Sequence, residues 1–272
     1  MNLRDVDSLF AGSIPQLYER FLVPLIFEPY AVDLAARACS REPSHVLEVA
    51  AGTGVLTRRL AEMLPATTAI VATDLNQPML DQARATGTSR PVEWRQADAM
   101  ALPFEDGAFD AVVCQFGVMF FPDKAGAYSE ARRVLKPGGA LIFNVWDRIG
   151  QNEFADVVTE SLVRIFPQDP PRFLARVPHG YHDTLAIADD LARGGFSRSL
   201  RFTTVAAGSR ADSPRDPAIA YCQGTPLRSE IEARDPERLA EATGAAAAAI
   251  AARFGSGAVD GKIQAHVVEI ER

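Results

Sequence analysis

From His45 onward the chain alternates short, almost wholly apolar runs with segments whose apolar residues recur every three or four positions. Val46 to Ala51 leads into a glycine turn and then into a stretch carrying Leu56, Leu60, Met63 and Leu64, the spacing that lines one face of a helix. The pattern predicts strand, turn, helix. It repeats as a strand over 68–73, a helix over 77–85, strands over 92–96 and 109–114, and a helix over 124–135. The turn Lys136-Pro137-Gly138-Gly139 and a strand over 140–145 follow. Runs that are apolar throughout, such as Ala111-Val112-Val113-Cys114, suit a sheet covered by helices on both faces. The first 147 residues therefore predict an α/β fold with a doubly wound, mainly parallel sheet.

The flanks carry weaker patterns. Leu17, Phe21, Leu22, Leu25, Ile26, Phe27 and Tyr30 cluster around Pro15, Pro24 and Pro29, which predicts short, broken helices because proline interrupts the helical hydrogen-bond ladder. After Trp146 come a helix over about 152–166, a proline-rich loop, a helix ending at Gly194-Gly195, and late strands over 196–207 and 262–270. Between those strands lies a polar, then alanine-rich stretch. Ala242 to Ala252 is low in complexity, yet alanine is the best helix former, so it predicts a helix. The domain reading is a helical cap over 1–40, a core over 41–207 and 258–272, and a helical insertion or lid over 208–257.

Composition narrows the classes. The chain has 272 residues, 47% of them hydrophobic, and a net charge of −7, which permits a large core and disfavours loose attraction to nucleic acid or anionic membranes. Cys39, Cys114 and Cys222 are far apart with no C-x-x-C pair, so neither a disulfide framework nor a zinc site is indicated. The start of the chain lacks a signal-peptide pattern, and no run reaches the roughly 18 apolar residues of a membrane span. The expectation is a cytoplasmic protein without membrane insertion, its oligomeric state open.

The chemistry is concentrated at Gly52-Thr53-Gly54, where absent Cβ atoms let a ligand approach the backbone. That turn alone suits a dinucleotide site or a plain tight turn. Thr57 leaves the G-x-G-x-x-G fingerprint incomplete, and an acid, Glu48, stands four residues before Gly52. Asp74 ends the second strand, 20 residues after Gly54, where a carboxylate can accept hydrogen bonds from both hydroxyls of a ribose. Asp98 closes the third strand, placed to meet an exocyclic amine on a base.

The run Val46-Leu47-Glu48-Val49-Ala50-Ala51-Gly52-Thr53-Gly54 resembles motif I of class I S-adenosylmethionine-dependent methyltransferases, especially the ubiquinone/menaquinone-biosynthesis type. The resemblance spans about residues 40–147. It includes Asp74, Asp98-Ala99 before Leu102-Pro103-Phe104, Phe109-Asp110, and Arg133-Val134-Leu135-Lys136-Pro137-Gly138-Gly139. It implies a seven-stranded sheet with an antiparallel last strand and S-adenosyl-L-methionine across the carboxyl ends of strands one, two and four, leaving S-adenosyl-L-homocysteine as product. Carried over, Ala50, Gly52, Thr53 and Gly54 form the turn against the aminoacyl part, which Glu48 helps position. Asp74 binds ribose, and Leu75 and Met79 flank adenine. Asp98, with Ala99 beside it, meets the adenine amine; Gln115 and Phe116 sit beside the methionine portion. Tyr18 lies in an N-terminal helix that closes over the cofactor in look-alikes, or is a packed aromatic.

Methyl transfer from a sulfonium is a direct displacement, so the protein mainly aligns the reactants and excludes water. Candidates for a general base are His179 and His182 on a loop; His45 and His266 are read as structural, and Arg228 and Glu230 as possible acceptor contacts. Enzymes that methylate amino groups of nucleic-acid bases resemble an Asp- or Asn-Pro-Pro-Tyr pattern after strand four, where this chain has Cys114-Gln115-Phe116-Gly117. With the acidic charge this argues for a small-molecule acceptor, and Phe120, Phe121 and Trp146 suggest an apolar or aromatic one. Methylation could fall on oxygen, nitrogen or carbon. The competing readings are a nicotinamide-dependent oxidoreductase and a non-catalytic S-adenosylmethionine-binding protein.

Overall fold

The computed structural model describes Phe10, residues 12–197 and residues 199–272; the first nine residues of the expected cap lie outside these. Its strands are β1 (His45–Val49), β2 (Ala69–Asp74), β3 (Glu93–Gln96), β4 (Phe109–Gln115), β5 (Leu135–Trp146), β6 (Arg201–Ala211) and β7 (Val259–Glu271). They form one sheet in the order β3-β2-β1-β4-β5-β7-β6. β1 runs parallel to β2 and β4, β2 to β3, and β4 to β5. The strand order reverses between β1 and β4, and in such sheets ligands bind outside the carboxyl ends of the strands at that point.

The last two strands are antiparallel. Arg272 exchanges backbone hydrogen bonds with Gly138 and Gly139 at the start of β5, while Asp147, just past its end, donates to Gln264 earlier in β7. β6 begins at Arg201, later than its apolar pattern predicts. Residues through Phe196 still finish the preceding helix: the Phe196 N–H donates to Leu191 O, and its ring is buried.

The chain divides into two units. The larger comprises residues 28–145, 181–205 and 265–272. Within it, helices over Glu28–Cys39, Val55–Met63, Gln77–Thr86, Lys124–Val134 and Thr184–Arg193 accompany the strands. Val46, Leu47, Ala111, Val113, Ile142 and Phe143 are essentially inaccessible, as a sheet covered on both faces requires. Asp110 braces the amino edge: Oδ2 accepts from Ser44 N (3.0 Å) and His45 N (2.8 Å), and Oδ1 receives Lys136 Nζ at 2.7 Å. These partners hold its carboxyl below the usual range despite some desolvation.

The other unit comprises residues up to Phe27 with 146–180 and 206–264, and is largely helical. The prolines do not break its first segment as expected. Ile14–Leu17 passes directly into a π-helical run, Tyr18–Phe27, with Pro24 inside it; a wider turn tolerates a ring that would clash in a regular α-helix. The alanine-rich helix Leu239–Phe254 packs on Glu153–Ile165 and Arg215–Gln223, and buries Ala242, Ala246 and Ile250 at four-residue spacing. Among the described residues no helix is long and apolar enough to cross a membrane.

Candidate functional site

Several residues of the larger unit with left-handed backbone lie at the carboxyl ends of β1 and β4. After β1, Ala50, Gly52 and Gly54 have φ of 55°, 57° and 83°. This left-handed sequence folds the chain sharply before the Val55–Met63 helix. Only glycine fits position 54, where a Cβ would lie 2.8 Å from the Trp94 ring. Asp74, at the end of β2, braces the turn: Oδ2 accepts from Gly52 N and Oδ1 from Asn76 N, both at 2.8 Å. Oδ1 also accepts from the Asn76 side-chain Nδ2 at 3.5 Å. Burial raises the Asp74 pKa, against the pull of those amides.

Glu48 lies beneath the turn, 1% exposed, and its Oε2 accepts from Thr57 Oγ1 at 2.6 Å. Burial pushes its carboxyl up to about 8, with Thr57 and Arg58 opposing and Asp74 reinforcing. Thr57 stands where a dinucleotide site has its third glycine and is itself buried. Its hydroxyl is the partner of the acid, a role not evident from the sequence pattern. Thr53 Oγ1, in the turn itself, is buried without a hydrogen-bond partner.

Across the switch point, Phe116 has φ of 51°, a conformation costly for a residue with a Cβ. Its N–H donates to Asn144 Oδ1 on β5 at 2.9 Å, and Asn144 is the register partner of Gln115. Next to it Gly117 lets the two turns meet, since a Cβ there would lie 2.6 Å from Ala50 Cβ and 2.7 Å from Cys114 Sγ. Burial pushes the Cys114 thiol up to about 12, so it is not a nucleophile at neutral pH. Asn144 escaped the sequence reading, although a polar residue inside the apolar run 140–146 was a signal.

The remaining predicted positions divide. Leu75 is 51% exposed directly after β2, an apolar surface at the strand ends, whereas Met79 is buried. Asp98 and Ala99 are part-buried in a tight turn in which Asp98 Oδ1 accepts from Met100 N at 2.9 Å. Tyr18, in the helical unit, stacks on Phe27 with centroids 5.0 Å apart. His179, a candidate general base, is buried in that unit, with Nδ1 2.9 Å from Asp147 O and the ring against Trp146. His182 belongs to the larger unit and is part-exposed.

Arg228 and Glu230, expected at an acceptor, are engaged within the helical unit. Arg228 pairs with Glu232 and donates to Ser13, while buried Glu230 accepts from Arg172 N, Phe173 N and Arg176. His45 lies near Asp110, and His266 meets Thr204 at 3.0 Å, in keeping with structural parts. Among the described residues no group of three or more His, Cys, Asp or Glu could hold a metal ion.

Comparison with known proteins agrees with this geometry. A family model described as "Methyltransferase domain" matches residues 47–143. A demethylmenaquinone methyltransferase of Thermus thermophilus is 46% identical over 139 residues, 50% of this chain and 61% of that protein. The ubiquinone/menaquinone biosynthesis C-methyltransferase UbiE of Pseudomonas aeruginosa is 30% identical over 206 residues, 71% of this chain and 76% of that one. With several other relatives of that name the match covers 50% of their sequence, so the chain spans about half the length of many curated relatives it matches. A phosphoethanolamine N-methyltransferase 2 of Haemonchus contortus, solved with phosphomonomethylethanolamine and S-adenosylhomocysteine, shares the fold. Its TM-score is 0.60 at 16% identity, covering 100% of this chain and 61% of that one.

Proposed function

Since this chain belongs to the class I S-adenosylmethionine-dependent methyltransferases of the ubiquinone/menaquinone-biosynthesis type, we propose that it moves the methyl group of S-adenosylmethionine to a small-molecule acceptor by direct displacement. The observation that carries the reading is the clustering at one sheet edge of the glycine turn, the buried strand-end carboxylate of Asp74 that braces it, and the left-handed turn at Phe116. The residues fit that cofactor: the unpartnered Thr53 hydroxyl lies in the turn, Leu75 presents apolar surface beside Asp74, and acidic groups suit a cationic ligand with a ribose diol.

When bound, S-adenosylmethionine supplies a methyl group already activated on a sulfonium sulfur. Asp74 would hold the ribose hydroxyls, Leu75 and Met79 would flank the adenine, and Asp98, beside Ala99, would meet the adenine amine. The turn 50–54, braced by Glu48 and Thr57, would hold the aminoacyl part, and Gln115 and Phe116 would hold the methionine portion. With no covalent intermediate to form, the work of these groups is to hold donor and acceptor in line and keep water out. The relatives are named for demethylmenaquinone and for ubiquinone and menaquinone, which supports an apolar, quinone-like ring as acceptor and carbon as the methylated atom.

Calorimetry with S-adenosylmethionine and, separately, NAD tests the donor. Binding of the first and not the second is expected, and the reverse refutes the reading. Asp74→Ala is expected to weaken donor binding by about 1–3 kcal/mol, as for removal of a charge-assisted hydrogen bond; unchanged affinity would remove Asp74 from the site. Transfer to a demethylated quinone, followed as a gain of one methyl in mass, tests the acceptor.

A further inference from the structure

Phe116 is held in a left-handed conformation that its side chain disfavours, at the place where two chain reversals touch. Its neighbour Gly117 has no room for a Cβ against Ala50, and Ala50 is itself a non-glycine residue at positive φ. Two strained turns in contact persist only if something outside them fixes the geometry. From another strand, the Asn144 side-chain Oδ1 accepts from the Phe116 N–H, at 2.9 Å and wholly buried.

We propose that Asn144 is a positioning residue for donor binding: its side-chain carbonyl on β5 clamps the Phe116 turn, and through Gly117 and Ala50 the glycine turn as well, in the shape that receives S-adenosylmethionine. This rests on the reading of the preceding section. The other end of the same amide supports a clamp tuned for geometry above stability. Asn144 Nδ2 is buried and has no hydrogen-bond partner, a cost a strand would ordinarily avoid by carrying valine or leucine. An apolar residue would pack as well but could not receive the Phe116 amide.

The test is a double-mutant cycle read by calorimetric titration of S-adenosylmethionine, with folding checked by circular dichroism and thermal melting. Asn144→Ala is expected to weaken donor binding about tenfold or more in a folded protein. Phe116→Gly supplies a residue that adopts positive φ without strain, so in that background Asn144→Ala is expected to cost at most about threefold. Asn144→Asp, which keeps an oxygen within reach of the amide, is expected to bind more tightly than Asn144→Ser, which withdraws it. That pair makes the same comparison if the alanine variant does not fold.

Wild-type affinity in folded Asn144→Ala, equal cost in both backgrounds, or Asp and Ser variants binding alike would each overturn the proposal. Failure of the unaltered protein to bind S-adenosylmethionine would instead overturn the functional reading beneath it. The two failures are therefore distinguishable.

Discussion

Glu48→Gln isolates the energetic consequence of burying an acid beneath the glycine turn. Burial pushes the Glu48 carboxyl from 4.5 to about 8. Between those pH values the folded chain retains a proton that the unfolded chain has released. The native state therefore binds more protons, and stability falls as pH rises. The contribution is fully present below pH 4.5 and is lost as pH rises through about 8. At about 1.4 kcal/mol per pH unit the whole window corresponds to on the order of 3–5 kcal/mol.

Glutamine keeps an oxygen for Thr57 Oγ1 and has no proton to lose. The stability difference between Glu48→Gln and the unaltered protein should therefore grow in favour of the variant from pH 5 to pH 8, by about 3 kcal/mol or more. Urea denaturation at each pH, extrapolated to water, measures it. A difference that stays flat across that range would mean that Glu48 is ionised in the folded protein, and the argument from burial would fail.

Other substitutions probe separate parts. Gly117→Ala forces a Cβ to within 2.6 Å of Ala50 Cβ; a loss of about 1–3 kcal/mol of stability is expected by thermal melting, with weaker donor binding by calorimetry. Thr57→Val should cost about 1–2 kcal/mol in the unaltered background and distinctly less beside Glu48→Leu, which removes the buried acceptor; equal costs would show that the 2.6 Å bond does not couple the two. Glu230→Ala strips the cap from two amides and Arg176, lowering stability by about 1–3 kcal/mol while leaving donor affinity unchanged; altered affinity would reinstate Glu230 as a ligand contact.

The sheet was legible because its strands are continuous apolar runs separated by turn residues, a pattern that survives without tertiary information. Boundaries were less so. Phe196 helped close a helix where apolar content suggested the start of a strand, and Pro24 sat inside a helical run whose widened turns have no sequence signature. At the site, glycines and strand-end acids stood out because conformation or charge restricts the residue type. Thr57 and Asn144 did not, since each acts through a single buried hydrogen bond across strands or turns. The burial of His179 was not legible either, since it comes from packing on Trp146, which the sequence separates from it by more than thirty residues.

The Asp110 brace gives the sheet an asymmetry of purpose. At the amino edge one carboxylate collects two backbone amides and a lysine, its acceptors committed to the chain itself. At the opposite edge Asp74 likewise accepts from Gly52 N, Asn76 N and Asn76 Nδ2, but Thr53 keeps a hydroxyl unspent. Side-chain polar groups are thus fully engaged at the amino edge, while one stays open at the carboxyl edge of the sheet. On the proposed donor site, a sequence library varied at residue 110 should diverge in melting temperature while keeping its ligand, whereas one varied at residue 53 should diverge in ligand, so this scaffold can exchange chemistry at one rim without renegotiating its fold at the other.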